Sequence, residues 1–442
     1  MNGSKKILFL PNDLGGGLGH LRRSLRIATM LNDRDWRTAF VVHKKKSLQY
    51  FDELHKVFYE PFYLDKSLVM VLSKIKPVHN YPSSPLKREP FFWEFGGGNY
   101  QILRDGYFTP PIVSHRFLRI SKIINLYKPD IIIGDGHLLT YFLGIYYQIP
   151  ILQITRYSIF PENPNFIWWK KFPGELKIPN STEAFTSLYE KIKKEPSAEA
   201  VNFFTGDAYL IPGIFEIEPV TTLKPHIFYG YGVNSEWDHR LIEVDKKKRL
   251  KKIFITIGGG SARSNLTDFY SFILRSIKNL NFQVIISDPF EVLAKSIVKE
   301  NNPNISVFKW IESSTIFPYL NIIIHHGGYS TTMESLWWGV PSLIIPFHSE
   351  QEGNGRRIEQ LKAGKVDLIS KPPYQEVPFQ SYYDCYNMLA GFNFDLSDQE
   401  FIESINKIID SRIFRKNALS LSEKLKLNYD PDKMLNFIQQ YC

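Results

Sequence analysis

The run Ile322-Ile323-Ile324-His325-His326-Gly327-Gly328-Tyr329-Ser330-Thr331-Thr332-Met333-Glu334 passes from a β-branched strand through a glycine turn into a helix. An apolar stretch without alternation suits a parallel strand covered on both faces, so the segment predicts an α/β fold with a strand over 322–325. The first amides of a helix have no intrahelical partner and carry the positive end of its dipole, which stabilises anions there. The His326 imidazole, the Ser330 and Thr331 hydroxyls and those amides can all donate to a diphosphate. Glu334 lies one turn further on, on the same face as Ser330, where a carboxylate can accept both hydroxyls of a ribose. Phosphate donors paired with a diol acceptor point to a ribonucleotide.

The surrounding sequence repeats the pattern. Strands are expected over 253–257, 283–287, 305–309, 342–346 and 367–369, and Leu266, Phe269, Ile273, Ile277 and Leu280 keep the helical period between the first two. Gly258-Gly259-Gly260-Ser261 follows the first of these strands and offers further amides to phosphate, although tight turns use such glycines as readily. Glu350-Gln351 and Asn354 follow the strand after Glu334, beside whatever hangs from the distal phosphate, and their side chains suit sugar hydroxyls.

A second alternating series occupies the first half, with strands over 7–10, 38–42, 131–133 and 151–155. Leu21, Leu25 and Ala28 form one apolar helix stripe. Between the halves, 219–252 breaks into Pro, Gly and charged residues and is expected to be a linker. At 442 residues the chain exceeds the usual size of one core, so two domains are expected.

Leu14-Gly15-Gly16-Gly17-Leu18-Gly19-His20 follows the first strand and opens the first helix. His20 there points into the space above the sheet's carboxyl edge, where a neutral imidazole can take a proton from an incoming hydroxyl. Asp135, at the end of the 131–133 run, is placed to hold the other ring nitrogen. A capping or packing role for His20, and a turn or cap role for Asp135, are the plainer alternatives.

Net charge is +9, from 54 Lys and Arg against 45 Asp and Glu, which favours anionic partners. The basic residues are scattered apart from 44–46 and 246–252, without the interleaved aromatics of an RNA-binding sheet, so no nucleic-acid partner is expected. Two cysteines, Cys385 and Cys442, are too few for a disulfide framework or a zinc site and suit a reducing, cytoplasmic compartment. No signal peptide or spanning helix is read, which leaves peripheral contact at the inner face of an acidic membrane as the available membrane role. The aromatic fraction of 15% is high, and Trp93, 95–98 and Phe166-Ile167-Trp168-Trp169-Lys170-Lys171 could dock on such a surface or line a pocket for a flat acceptor. Asp33-Arg34-Asp35 and Asp430-Pro431-Asp432 have the spacing of a divalent-metal motif but read as turns or caps, so neither a metal nor a cofactor is expected.

These residues resemble the GT-B glycosyltransferases, which include plant and bacterial UDP-glycosyltransferases and the peptidoglycan N-acetylglucosaminyltransferase, over nearly the whole chain. His326-Gly327-Gly328 with Thr331 and Glu334 looks like the donor signature of that superfamily, and Gly339-Val340-Pro341, Glu350-Gln351 and Asn354 continue it. The Gly17-Leu18-Gly19-His20-Leu21-Arg22-Arg23 form is closest to a bacterial branch of predicted glycosyltransferases, and is also found in a UDP-sugar hydrolase of nonulosonic-acid synthesis. The resemblance implies two facing Rossmann-like domains with a cleft between them. It gives 1–225 as acceptor domain and 226–423 as donor domain, with a C-terminal helix near 424–442 able to pack back on the first. It implies His20 as base, Asp135 as its carboxylate, and a donor site of Gly17, Gly19, Gly259, Gly260, Ser261, Ile311, His326, Gly328, Ser330, Thr331, Glu334, Glu350, Gln351 and Asn354. Glu312-Ser313 stand where the superfamily usually has Pro-Gln after the position of Ile311. The implied activity is inverting, metal-independent transfer from a nucleotide-diphosphate sugar, a UDP-sugar by resemblance, to a hydroxyl of a small-molecule or lipid-linked acceptor. A hydrolase or epimerase on the same scaffold, and a binding protein with a relic donor site, are the alternatives.

Overall fold

The computed structural model describes residues 4–15, 18–61, 88–163, 165–172, 176–221, 226–230, 250–258, 265–278, 280–293 and 304–442. Strands β1 (Lys6–Pro11), β2 (Arg37–Val42), β3 (Lys56–Tyr59), β5 (Ile131–Asp135), β6 (Ile151–Ile154), β7 (Ala208–Ile211) and β8 (Ile227–Tyr229) form one sheet, ordered β3-β2-β1-β5-β6-β7-β8 and parallel throughout. The unbroken apolar runs are explained by its two covered faces. Leu8, Leu10 and Ile132 pack on one side with the helices Pro110–Tyr127 and Thr140–Tyr147. Ile7, Phe9, Ile131 and Ile133 pack on the other with Ala28 and Leu31 of the helix Gly19–Asn32. Each of these leucine, isoleucine and phenylalanine side chains contributes about 1.5–3 kcal/mol on burial.

Strands β9 (Lys251–Thr256), β10 (Phe282–Ser287), β11 (Ile305–Phe308), β12 (Ile322–His325), β13 (Ser342–Ile344) and β14 (Gly364–Val366) make a second parallel sheet, ordered β11-β10-β9-β12-β13-β14. In both sheets the chain runs outward in one direction, then returns to the middle and continues in the other. The reversal lies between β1 and β5 in the first sheet and between β9 and β12 in the second. Open α/β sheets place ligands at such switch points, beyond the carboxyl ends of the strands.

Several boundaries differ from expectation. The strand expected over 367–369 is found three residues earlier, because Gly364–Val366 pairs with β13 and that ladder ends at Ile344↔Val366. β8 lies inside the stretch expected to be linker and pairs with β7, so the first domain runs through Tyr229 rather than ending at 225. The hairpin β15 (Gln375–Gln380) and β16 (Cys385–Gly391) was not foreseen, nor was its antiparallel pairing with β4 (Phe92–Glu94) from the first half of the chain. Of the C-terminal helices, Arg412–Leu427 stays with the second domain through Ala418, Leu421 and Leu425. Only Pro431–Gln439 packs back on the first sheet, through Met434, Leu435 and Ile438.

Candidate active site

At the first switch point β1 and β5 lie side by side, with Pro11 opposite Asp135. The helix Gly19–Asn32 begins just beyond β1 and carries His20 in its first turn. His20 Nδ1 lies 2.6 Å from Asp135 Oδ1, and the ring rests against the α-carbon of Gly136. A carboxylate at Nδ1 selects the tautomer with the proton on that nitrogen, which leaves Nε2 as the basic atom. The imidazole is about a third exposed (32%) while the carboxylate is enclosed (2%), so the ring is reachable and its anchor is not.

Asp135 has a second partner. Arg23, one helical turn after His20, donates to Oδ1 at 2.7 Å and from Nε to Oδ2 at 3.0 Å. Burial alone would raise the Asp135 carboxyl, but Arg23 and then His20 outweigh it and hold the group below the usual carboxylate range. The carboxylate is thus an ionised anchor shared by an imidazole and a guanidinium.

Beneath it lies a buried pair of imidazoles. His43 Nδ1 donates to the Glu60 carbonyl at 2.9 Å, so its Nε2 accepts from His137 Nε2 at 3.2 Å, and His137 Nδ1 accepts from the Leu139 amide at 3.4 Å. Both rings are neutral in this arrangement. Burial pushes their proton affinities down, furthest for His137.

The second switch point supplies the opposite wall. His326 follows β12, and its ring lies against the α-carbons of Gly258 and Gly328. Gly327 has φ +85°, and a β-carbon there would come 2.5 Å from the Gln351 carbonyl, so this turn needs glycine. On the helix Tyr329–Trp337, Tyr329, Thr332 and Met333 are buried whereas Ser330, Thr331 and Glu334 stay half-buried on a common side. The two walls meet there: a β-carbon at Gly19 would stand 3.0 Å from Ser330 Oγ. Glu334 receives a hydrogen bond from Arg26 Nη2 at 3.3 Å across the same gap.

The expected sugar-reading residues sit on the helix Ser349–Gln360 and are already engaged. Glu350 Oε1 accepts from Arg156 Nη1 at 2.8 Å and from Asn354 Nδ2 at 3.2 Å, and Asn354 Nδ2 also reaches the Gly327 carbonyl at 2.8 Å. Burial opposes the charge on Glu350, yet Arg156, His348 and the Asn354 hydrogen bond overcome it and bring the carboxyl down to about 2. Gln351 is buried and its Oε1 accepts from the Phe347 amide at 2.8 Å, so that oxygen fixes the turn before the helix. Ile311 is buried beside Glu312, which accepts from Trp310 Nε1 at 2.9 Å, and Arg22 lies 5.0 Å over the Trp310 ring. Gly17, Gly259, Gly260 and Ser261 lie outside the described residues.

Arg23, Arg26 and Arg156 were given no role from sequence, although Arg23 ends the quoted 17–23 motif. The signal existed: the first two lie three and six residues after His20 on one helix, and Arg156 follows β6 at a strand's carboxyl end.

The acidic triplets are engaged in local contacts. Asp430 caps the helix Pro431–Gln439, Asp432 pairs with Arg34, and Asp33 and Asp35 end the first helix; among the described residues no cluster of three metal-ligating side chains is found. The aromatic segment turns inward. Trp93 is buried in the three-stranded sheet, Phe166 stacks on Phe95 at 5.9 Å, Trp168 lies 4.1 Å under Arg357, and Lys170 pairs with Glu94. Among the described residues no helix is long and apolar enough to cross a membrane.

Residues 253–370 match the model of the glycosyltransferase family 28 C-terminal domain. The chain is 25% identical over 301 residues to the NDP-glycosyltransferase YjiC of Bacillus subtilis, covering 65% of this chain and 71% of that one. Among solved structures it resembles the glycotransferase of kitacinnamycin at TM-score 0.69, with 14% identity over 99% of each chain. It also resembles Phytolacca americana UGT2 complexed with UDP-2fluoro-glucose and pterostilbene, at TM-score 0.63 and 14% identity over 99% of each chain. The architecture of two parallel-sheet domains is the GT-B fold.

Proposed function

We propose, from the premise that the chain is a member of the GT-B glycosyltransferase superfamily, that it moves a sugar from a UDP-sugar to an acceptor hydroxyl with inversion and without a metal ion. The observation that carries this reading is the meeting of two walls. One presents an imidazole anchored at Nδ1 with its Nε2 available, the other a helix start with hydroxyls and one carboxylate.

In the proposed reaction the acceptor hydroxyl gives its proton to His20 Nε2 as its oxygen forms the new bond to the anomeric carbon. The bond from that carbon to the diphosphate oxygen breaks, and its electron pair leaves with the diphosphate. Attack from the face opposite the leaving group inverts the centre. The amides at Tyr329 onward, His326 and the hydroxyls of Ser330 and Thr331 offset the charge that develops on the diphosphate. Support for metal independence comes from the two acidic triplets, which are spent on caps and a surface ion pair. Glu334 takes the ribose diol, displacing Arg26. Uridine as the base rests on the UDP-fluoroglucose complex of one structural neighbour. Phe166 and Trp168 line a cavity with Glu350 and Arg357 instead of an outward face, which favours a small acceptor over membrane docking.

Product analysis tests the proposal. Incubation with UDP- and dTDP-hexoses and a panel of phenolic, sugar and lipid-linked acceptors should give a glycoside of inverted anomeric configuration. Free sugar at full rate without acceptor would mark a hydrolase, and an altered sugar still on its nucleotide an epimerase.

A further inference from the structure

Arg156 follows β6 in the first domain yet makes its hydrogen bonds in the second. Nη1 donates to Glu350 Oε1 at 2.8 Å and lies 3.3 Å from Asn354 Oδ1. Its guanidinium rests 4.7 Å over the Tyr329 ring, and the Tyr329 hydroxyl is tied to the Pro212 carbonyl at 2.6 Å. The buried carboxylate of Glu218, held by the Tyr157 amide at 2.7 Å, adds its charge to that of Glu350. A guanidinium enclosed by an aromatic face and two carboxylates has one place to be, which distinguishes it from the exposed ion pairs of the surface.

The hydrogen bonds to Glu350 all fall on one oxygen. Arg156 and Asn354 both address Oε1, while His348 Nδ1 lies 4.0 Å from Oε2. Oε2 therefore keeps its lone pairs, and the carboxylate is about a quarter exposed (26%). A carboxylate fixed through one oxygen and open at the other is organised to accept hydroxyl groups, because the rotamer cost is met before the ligand arrives. The fixing group comes from the opposite domain.

We propose that Arg156 is a positioning residue for donor-sugar recognition: it orients Glu350 from across the cleft, so that the sugar of the donor is read fully only when the two domains are closed. This rests on the donor-site reading above and adds that the nucleotide and the sugar are sensed by separate machinery. The ribose and diphosphate meet Ser330, Thr331 and Glu334 of the second domain, to which Arg156 makes no hydrogen bond. The sugar hydroxyls meet a carboxylate whose geometry depends on the first domain.

The test compares two ligands by calorimetry. One is UDP; the other is whichever of a panel of UDP- and dTDP-hexoses the wild type binds best. Arg156→Met and Glu350→Gln should each weaken the sugar nucleotide by about tenfold or more and change UDP by less than about twofold. Arg156→Lys should recover part of the loss, since it restores charge without the planar fork. The double variant Arg156→Met/Glu350→Gln should lose no more than the worse single variant, because both act through one contact. It also leaves no unpaired carboxylate at 350, so it guards against misfolding of the Arg156→Met chain. Equal weakening of UDP and sugar nucleotide, or losses that multiply in the double variant, would overturn the inference alone. A wild type that binds neither ligand would overturn the donor-site reading and this inference together.

Discussion

Gly19 and Ser330 face each other across the gap between the domains: a β-carbon on the glycine would stand 3.0 Å from the serine hydroxyl. One residue opens the helix that carries the proposed base, and the other belongs to the proposed phosphate cradle. The contact gives the chain a position where fold and function separate cleanly.

Gly19→Val should therefore crowd the phosphate cradle without harming the first domain. Gly19 sits in the first turn of a helix, where replacing glycine by valine is neutral or stabilising by roughly a few tenths of a kcal/mol. The expected outcome is an unchanged or slightly raised Tm, with sugar-nucleotide affinity reduced about tenfold. Loss of fold together with binding in thermal melts would show instead that Gly19 is needed for the helix start.

His20→Ala and Asp135→Asn should part company in the same way. His20→Ala removes the proposed base and should lower kcat by about 10²- to 10⁴-fold with stability little changed. Asp135→Asn leaves the Arg23 guanidinium without its carboxylate, and breaking a buried pair from one side costs about 3–5 kcal/mol. Urea melts beside turnover measurements decide: equal stability of the two variants would mean that Arg23 draws nothing from Asp135.

Much of this site was visible in the residues themselves. The stretch 322–334 showed strand, turn and helix because an unalternating isoleucine run and paired glycines leave few other options. His20 and Asp135 could be placed because strand ends in a parallel sheet share one edge. Other features needed three dimensions. Arg156 and Glu350 are 194 residues apart and their pairing depends on how two domains face each other, which no local pattern encodes. The hairpin β15–β16 had a period-2 signal in Val377, Phe379, Tyr386, Met388 and Ala390, masked by Pro378 and the polar turn. β8 was hidden because three residues between Pro- and Lys-rich stretches do not outweigh their surroundings.

Acidification should destabilise the protein through its buried imidazoles. His43 and His137 bind protons less readily in the fold than at the ordinary histidine value near 6.5, so the unfolded chain takes up more protons below it. Their contribution is fully present above that pH and is lost as pH falls through it, with a limiting slope of roughly 1.4 kcal/mol per pH unit for each proton. Chemical denaturation at pH 7.5 and 5.5 should show this fall, and a His137→Gln variant should show a shallower one. A variant with an unchanged slope would remove the imidazole pair from the explanation.

Chelation offers a separate check on the leaving-group chemistry. If the helix start, His326 and the hydroxyls offset the diphosphate charge, transfer in excess EDTA should proceed at the untreated rate within about twofold. Activity abolished by EDTA and restored by Mg²⁺ or Mn²⁺ would replace that part of the account.

The most direct test titrates UDP into the wild type, Glu334→Ala and His20→Ala by calorimetry. Saturable binding by the wild type is expected, weakened about tenfold or more in Glu334→Ala as the ribose loses a charged acceptor, and unchanged within about twofold in His20→Ala. Absence of saturable binding by the wild type, or an equal loss in both variants, would contradict a nucleotide held at 326–334 opposite a separate base.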